Sequence, residues 1–326
     1  MNQQLTALGN RQLRRLGLRH FPTLILDSGE NALSRFIEFF TAHIRNRNTR
    51  EVYARAVTQF CRWCEVRRVT HLNEITPFIV ATYIEQLGAR LARPTVKQHL
   101  AAIRMLFDFL VVGQVLPMNP ASAVKGPKHV VKKGKTPVLT AEEARTLLDS
   151  VDTTTIAGLR DRALIGVMVY SFARVSAVVA MNVEDFFPQG KSFWFRLHEK
   201  GGKRHDVPAH HKAAEYVDSY VAAAGIVFEK KAPLFRSLDR KRQLTERRLT
   251  RREILAMVKR RARQAGIPAN TCCHTFRATG ITAYLDSGGT LELAQRIAGH
   301  ESPRTTKLYD RTGDEIDVVE IERIGI

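Results

Sequence analysis

The chain has 326 residues, 44% of them hydrophobic, with 51 Lys or Arg against 32 Asp or Glu. This length suits two domains of ordinary size and excludes a single small core, and the apolar content excludes a disordered tail. The formal net charge of +19 attracts polyanions. Its uneven spread favours a surface that follows a phosphate backbone over the blander reading of a basic soluble enzyme.

Residues 1–28 hold Arg11, Arg14, Arg15 and Arg19 with no acid before Asp27, which predicts a basic N-terminal arm over 1–30. No signal peptide stands out, and no run of about eighteen apolar residues could cross a membrane. A cytoplasmic, nucleoid-associated protein with reduced thiols is expected. From residue 31 an amphipathic pattern begins, with Phe36, Ile37, Phe39, Phe40 and Ile44 on one side. Thr49 is a candidate cap for the next helix, whose apolar residues are Val52, Tyr53, Ala56, Phe60 and Trp63 at spacings of three and four. Cys61-Arg-Trp-Cys64 has metal-site spacing. It lies within that helical pattern, and no second C-x-x-C completes a four-ligand set, so a structural role is expected and no metal. Thr76-Pro77 reads as a cap followed by proline in the first turn, and Gly88 as a stop. Thr95-Val-Lys-Gln98 has capping-box spacing. It is expected to open a helix with Leu100, Ile103, Leu106, Phe107 and Leu110 inward and Lys97 and Arg104 outward. Four helices would make residues 31–116 a small all-α domain.

Residues 117–137 change texture. Prolines and glycines recur, and Lys125, Lys128, Lys132, Lys133 and Lys135 occur with no acid. This predicts a basic linker that lies against a polyanion. Thr140-Ala-Glu-Glu143 is a second capping box and opens a domain expected to span 138–312. Residues 161–173 are almost uniformly apolar, as in a buried helix. Phe193, Phe195 and Leu197 then alternate with Trp194, Arg196 and His198. A Glu199-Lys-Gly-Gly-Lys203 turn and a second strand over 204–208 complete a β-hairpin with a charged tip. Residues 241–263 carry ten Lys or Arg against two Glu, a local net charge of +8. Leu249, Ile254, Leu255, Met257 and Val258 mark a partly packed helix there. Arg247, Arg248, Arg251 and Arg252 are its candidate phosphate contacts.

Near the C-terminus stand His274-Thr-Phe-Arg277, Gly299-His300 and Tyr309. Singly each has a bland reading: a satisfied histidine, a structural ion pair, a packed tyrosine. His274 and Arg277 are three apart and share a helix face. Arginine is the natural fork for phosphate oxygens, positioned cations stabilise a phosphodiester in transfer, and a tyrosine can be its nucleophile.

Arg174 in Phe172-Ala-Arg-Val-Ser-Ala177, Lys200 at the hairpin tip, His274, Arg277, His300 and Tyr309 occur in that order, with nine residues from His300 to Tyr309. Together with Asn119-Pro120 and the Leu139-Thr-x-x-Glu143 entry, they make the chain resemble the tyrosine recombinases, the phage integrase family, from about residue 31 to 311. The resemblance implies a mainly α fold with a small β-hairpin sheet: a two-domain clamp of a SAM-like helical core-binding domain and a mixed α/β catalytic domain. It implies that Arg174 and Arg277 clamp the scissile phosphate and that His300 hydrogen-bonds it. Lys200 would protonate the leaving 5′-oxygen, His274 would serve as acid/base, and Tyr309 would form a 3′-phosphotyrosine. No cofactor, metal or ATP is implied. The implied partners are double-stranded DNA, a second copy of the chain on inverted half-sites, a tetramer in synapsis, and in some systems accessory recombinases. The acidic, amphipathic residues 313–326 would dock on their own domain or on a neighbouring subunit. Two positions depart from the family pattern: Ala177 stands where an acid is usual and Ala278 where a histidine often follows. A non-cleaving DNA-binding protein of the same fold and a type IB topoisomerase-like relaxing enzyme are the alternatives.

Overall fold

The computed structural model describes residues 21–129, 134, 136–199 and 202–310. These fall into two units that divide at residues 130/131. The fold is mostly helical with small antiparallel sheets.

In the first unit the helices are α1 (Thr23–Asp27), α2 (Glu30–Glu38), α3 (Arg47–Val66), α4 (Pro77–Gly88) and α5 (Arg93–Val112). A π-turn, Phe39–His43, prolongs α2. Their apolar stripes converge on Phe36, Phe39, Phe40, Phe60, Ile103, Leu106 and Phe107, all with at most 2% exposure. Edge-to-face ring pairs, Phe36 with Phe40 and Phe60 with Tyr83, both at 5.1 Å, fix how the rings interlock. The Thr76 cap forms as the sequence predicts, its hydroxyl accepting from the Ile79 amide. Two starts differ. Asn46 caps α3 in place of Thr49, its carbonyl oxygen accepting from the Thr49 amide at 3.1 Å. α5 begins at Arg93, so Thr95 is already inside it. Pro94 presets the backbone of that first turn and leaves no N–H to satisfy. The core also reaches back to Phe21, Leu24 and Ile25, which ties residues expected in the arm to the helical unit. It reaches forward to Leu116, Ala121 and Val124, within the expected linker. Cys61 and Cys64 are packed in this core, and burial pushes the Cys64 thiol up to about 12. Residues 1–20 of the expected arm lie outside the described residues.

In the second unit α6 (Ala141–Asp149) opens with the Thr140 capping box, Thr140 Oγ1 accepting from the Glu143 amide at 3.1 Å and Glu143 accepting from the Thr140 amide at 2.8 Å. α7 (Ile156–Tyr170) is the buried central helix that its apolar run predicts. α8 (Val175–Ala180) follows after a tight turn. β1 (Phe186–Gln189), β2 (Ser192–His198) and β3 (Arg204–Pro208) form an antiparallel meander. Phe195 sits between Phe186 and Val207 in the ladder, and Phe195 and Leu197 point into the core while Arg196 pairs with Asp206 across the other face. α9 (His211–Ala224) packs on α7. β4 (Arg236–Leu238) and β5 (Leu244–Arg248) form a second antiparallel pair and lead to α10 (Arg251–Gln264). α11 (Cys273–Asp286), α12 (Leu291–Ala298) and the short α13 (Pro303–Lys307) complete the unit.

α11 lies close against the end of α7. A Cβ added at Gly280 would stand 2.0 Å from the Val169 carbonyl oxygen, so only glycine permits this approach. The approach sets the first turn of α11 beside the α7–α8 turn, where the candidate catalytic residues meet.

Candidate active site

Arg174 is the N-cap residue of α8. Two residues earlier Phe172 adopts a left-handed backbone, φ 53°, which strains a bulky side chain by about 1–3 kcal/mol. The turn directs the Phe172 carbonyl at Arg277, whose Nη1 donates to it. Arg277 Nη2 donates to the Ala298 carbonyl at 2.6 Å, at the end of α12. Arg277 is 1% exposed. Burial, and then the charge of Arg174, pull its guanidinium down to about 10. Among the described residues its Nε has no hydrogen-bond partner. A buried guanidinium held by neutral carbonyls, close to a second one, attracts an anion.

His274 lies one turn before Arg277 on α11. Its Nε2 is 2.7 Å from the phenol oxygen of Tyr309. Burial, then Arg277 and Arg174, lower the imidazole pKa. A neutral ring results at neutral pH, and in the tautomer with its hydrogen on Nδ1 the Nε2 atom accepts the Tyr309 O–H. Burial raises the Tyr309 phenol, and Arg277 and Arg174 act against that rise. The phenol is therefore un-ionised and depends on its neighbour to take the proton.

His300 follows Gly299, whose φ of 58° is the left-handed C-cap that ends α12. The His300 ring lies parallel to that of Tyr309, at 7° and 5.9 Å between centroids. Its Nδ1 is 2.8 Å from the hydroxyl of buried Thr306. Burial, reinforced by both arginines, pulls it down to about 3, so it too is neutral. When the Thr306 hydroxyl donates to Nδ1, Nε2 carries the hydrogen and is a donor. Tyr309 is held at its backbone as well. Its carbonyl accepts from Thr282 Oγ1 at 3.0 Å, and the preceding Leu308 carbonyl accepts from the Gly134 amide at 3.0 Å. Gly134 belongs to the expected linker.

Five of the six expected catalytic residues thus gather at one place in one chain. Lys200 lies outside the described residues, as do Lys132, Lys133 and Lys135. Sequence reasoning missed three neighbours: Glu199, whose carboxylate meets Arg174 Nη1 at 2.6 Å, Thr306 on His300, and Thr282 on Tyr309. An acid next to the hairpin lysine was the one available signal.

The expected DNA-contact residues divide. Lys97, Lys125 and Lys128 in the first unit and Arg251 and Arg252 in the second are exposed. Arg247 is exposed and pairs with Glu253 at 2.6 Å. Arg104 does not point freely outward: it is half-buried, with Nε donating to the Ala121 carbonyl at 3.1 Å and Nη2 to that of Val124. Arg248 is half-buried as well, donating to the carbonyls of Val179 and Met181 at 2.6 and 2.7 Å and to Asn182 Oδ1. Both brace loops by donating to backbone carbonyls, of which those of Ala121 and Met181 also accept from the amides of Val124 and Leu234. Among the described residues no helix is long and apolar enough to cross a membrane, and no group of three His, Cys, Asp or Glu could hold a metal.

A buried arginine, a second arginine and a histidine on a tyrosine hydroxyl, set on this fold, define a class of protein that matches the comparisons. The model of the phage integrase family matches residues 137–315, more than half of the chain, and that of the integrase N-terminal SAM-like domain matches residues 33–113. The chain belongs to the phage integrase family and is an enzyme of the tyrosine recombinase type. The tyrosine recombinase XerC of Chlamydia pneumoniae is 29% identical over 248 residues, 75% of this chain and 77% of that protein. Among solved structures, the XerH site-specific recombinase bound to its difH substrate in a pre-cleavage complex shares the fold, with a TM-score of 0.66 at 18% identity over 93% of this chain and 95% of the other. A lambda integrase tetramer bound to a Holliday junction does so with a TM-score of 0.64 at 15% identity, over 93% and 85%.

Proposed function

We propose that the chain is a site-specific DNA recombinase that cuts and rejoins strands through a 3′-phosphotyrosine at Tyr309. The observation that carries this reading is the 2.7 Å contact between Tyr309 and a neutral His274 beside two guanidiniums. In the proposed step the phenol oxygen attacks the scissile phosphorus while His274 Nε2 takes its proton. Arg174 and Arg277 neutralise the non-bridging oxygens as charge gathers there, and His300 Nε2 donates to one of them. The 5′-oxygen leaves with a proton from Lys200. The new phosphoester keeps the energy of the broken diester, so a 5′-hydroxyl from a partner strand can reverse the attack without ATP. The cations do the work that metal ions perform in other phosphoryl-transfer sites.

The net charge of +19 supports binding to duplex DNA, with Lys97, Lys125, Lys128, Lys132, Lys133, Lys135, Arg247, Arg251 and Arg252 as the proposed contacts. XerH is bound to a recombination site and lambda integrase forms a tetramer on a junction, which supports a homodimer on each site and a tetramer in synapsis. The test uses a duplex enriched from a random pool by binding to the full chain, nicked next to the cleavage point so that religation is blocked. A covalent protein–DNA adduct is expected on denaturing gels, and Tyr309→Phe, which keeps the ring, should abolish it completely. Binding without any adduct would favour the non-cleaving reading. Relaxation of an arbitrary plasmid without recombinants would favour a topoisomerase.

A further inference from the structure

Arg174 faces a problem that Arg277 does not. Arg277 is locked by two carbonyls in a buried pocket, whereas the Arg174 side chain is 36% exposed on the N-cap residue of a six-residue helix. A long side chain so placed loses about 2 kcal/mol of rotamer freedom when it is fixed. Its own helix offers no carboxylate, since the residue one turn on is the fully buried Ala177. What meets it comes from 25 residues away. Glu199 Oε2 lies 2.6 Å from Arg174 Nη1, and the Glu199 side chain is only 6% exposed. Among the described residues it is the one acid paired with Arg174.

Glu199 is also a junction. Its amide donates to the Lys203 carbonyl at 2.8 Å, closing the base of the hairpin turn. It is bonded in sequence to Lys200. A Cβ placed on Gly299 would lie 3.9 Å from Glu199 Cγ and 3.6 Å from the His205 ring, so the turn that carries His300 rests against it. His205 Nε2 meets the Ile297 carbonyl at 3.0 Å and ties β3 to the same turn. Glu199 therefore pairs with Arg174 through its carboxylate, closes the hairpin through its amide and lies beside the end of α12 with its side-chain stem.

We infer that Glu199 is the positioning residue of this active site: it fixes the Arg174 guanidinium against the base of the β2–β3 hairpin and the turn that carries His300 before DNA arrives. The charges agree in sign: the carboxylate offsets one of two neighbouring guanidiniums and leaves the site positive toward a phosphodiester. Without the carboxylate, two close cations would repel and Arg174 would swing into solvent.

This inference rests on the recombinase reading, and the experiment separates the two. Full-length Glu199→Asp, Glu199→Gln and Glu199→Ala are compared with the wild type on the nicked duplex, measuring single-turnover adduct formation and, separately, affinity. The expected order of rates is Glu, then Asp, then Gln and Ala, with Gln and Ala slowed tenfold or more and affinity changed less than threefold. Glu199→Gln is isosteric and guards against a mere folding loss in the alanine variant. Rates within twofold of the wild type would overturn the inference, as would equal losses in rate and affinity. A faster Glu199→Ala enzyme would overturn it too, since it would make the carboxylate a competitor of the phosphate. No Tyr309-dependent adduct from the wild type itself would sink the recombinase reading first.

Discussion

The two units bury different things. Among the described residues of the first, His99 is the one buried polar or charged residue besides the tyrosine it meets, its ring nitrogen 3.2 Å from the Tyr83 hydroxyl. In the second, Arg160, Asp161, Asp185, Arg236, Arg277 and His300 are all buried. Some of these form a structural network: Asp161 binds Arg160, Arg260 and Arg261 at 2.7–3.0 Å. Others converge on Tyr309. The first unit resembles an ordinary helical core whose stability comes from apolar burial. The second holds desolvated charge in place, and this costs stability unless every group is met. The difference locates the chemistry without reference to motifs.

That contrast predicts a double dissociation, the largest effect expected. Arg277→Met keeps the volume and removes the buried charge. Adduct formation should fall at least a hundredfold. Stability should change by less than about 2 kcal/mol, because the carbonyls of Phe172 and Ala298 lose a donor while a costly desolvated cation disappears. Phe60→Ala in the first unit should do the reverse. It should cost about 3–5 kcal/mol and leave the adduct rate at saturating DNA within threefold. Denaturant melts and single-turnover gels on both variants check this. A large stability loss in Arg277→Met with cleavage intact would make Arg277 a structural brace.

Much of this was legible in the sequence because some signals are local. The Thr140–Glu143 box, the alternation of Phe195 and Leu197, and the buried α7 run each depend on residues a few positions apart. The site residues were legible through their order and the His274–Arg277 spacing. What failed to show was non-local. A guanidinium in a basic run looks the same whether it faces phosphate or a carbonyl, so Arg104 and Arg248 read as contacts and fold as braces. The Arg174–Glu199 pair joins residues 25 apart. Phe21, Leu24 and Ile25 were masked by the basic texture around them. α5 starts early because Pro94 outweighs a capping box that begins at the next residue.

The pH dependence should also fall mainly on the second unit. The pKa values of His210, His274 and His300 there are lowered, His300 to about 3, as is that of His99 in the first unit. A folded pKa below the unfolded value of about 6.5 means that the unfolded chain binds more protons as pH falls. The stability from these neutral rings is complete above 6.5 and is lost progressively below it. Between pH 6.5 and 5, above the ordinary carboxylate range, the melting temperature should fall. His300→Asn should flatten that fall by up to one proton, about 1.4 kcal/mol per pH unit. If His274 takes the phenol proton, adduct formation needs it neutral, and the acid limb should lie below 6.5. A limb above 6.5 would contradict the lowered pKa of His274.

The smallest effects should come from two arginines four positions apart. Arg252 is exposed in the first turn of α10, whereas Arg248 donates to two carbonyls and Asn182. If Arg252 touches phosphate, Arg252→Ala should weaken binding to all sequences alike and reduce the slope of log affinity against log salt by about 1. Arg248→Ala should leave that slope unchanged and cost about 1–3 kcal/mol of stability, because the Val179 and Met181 carbonyls and the Asn182 side chain each lose one donor. Titrations at several salt concentrations, paired with thermal melts, read both. A salt slope that moves with Arg248 and ignores Arg252 would reverse the division drawn between brace and contact.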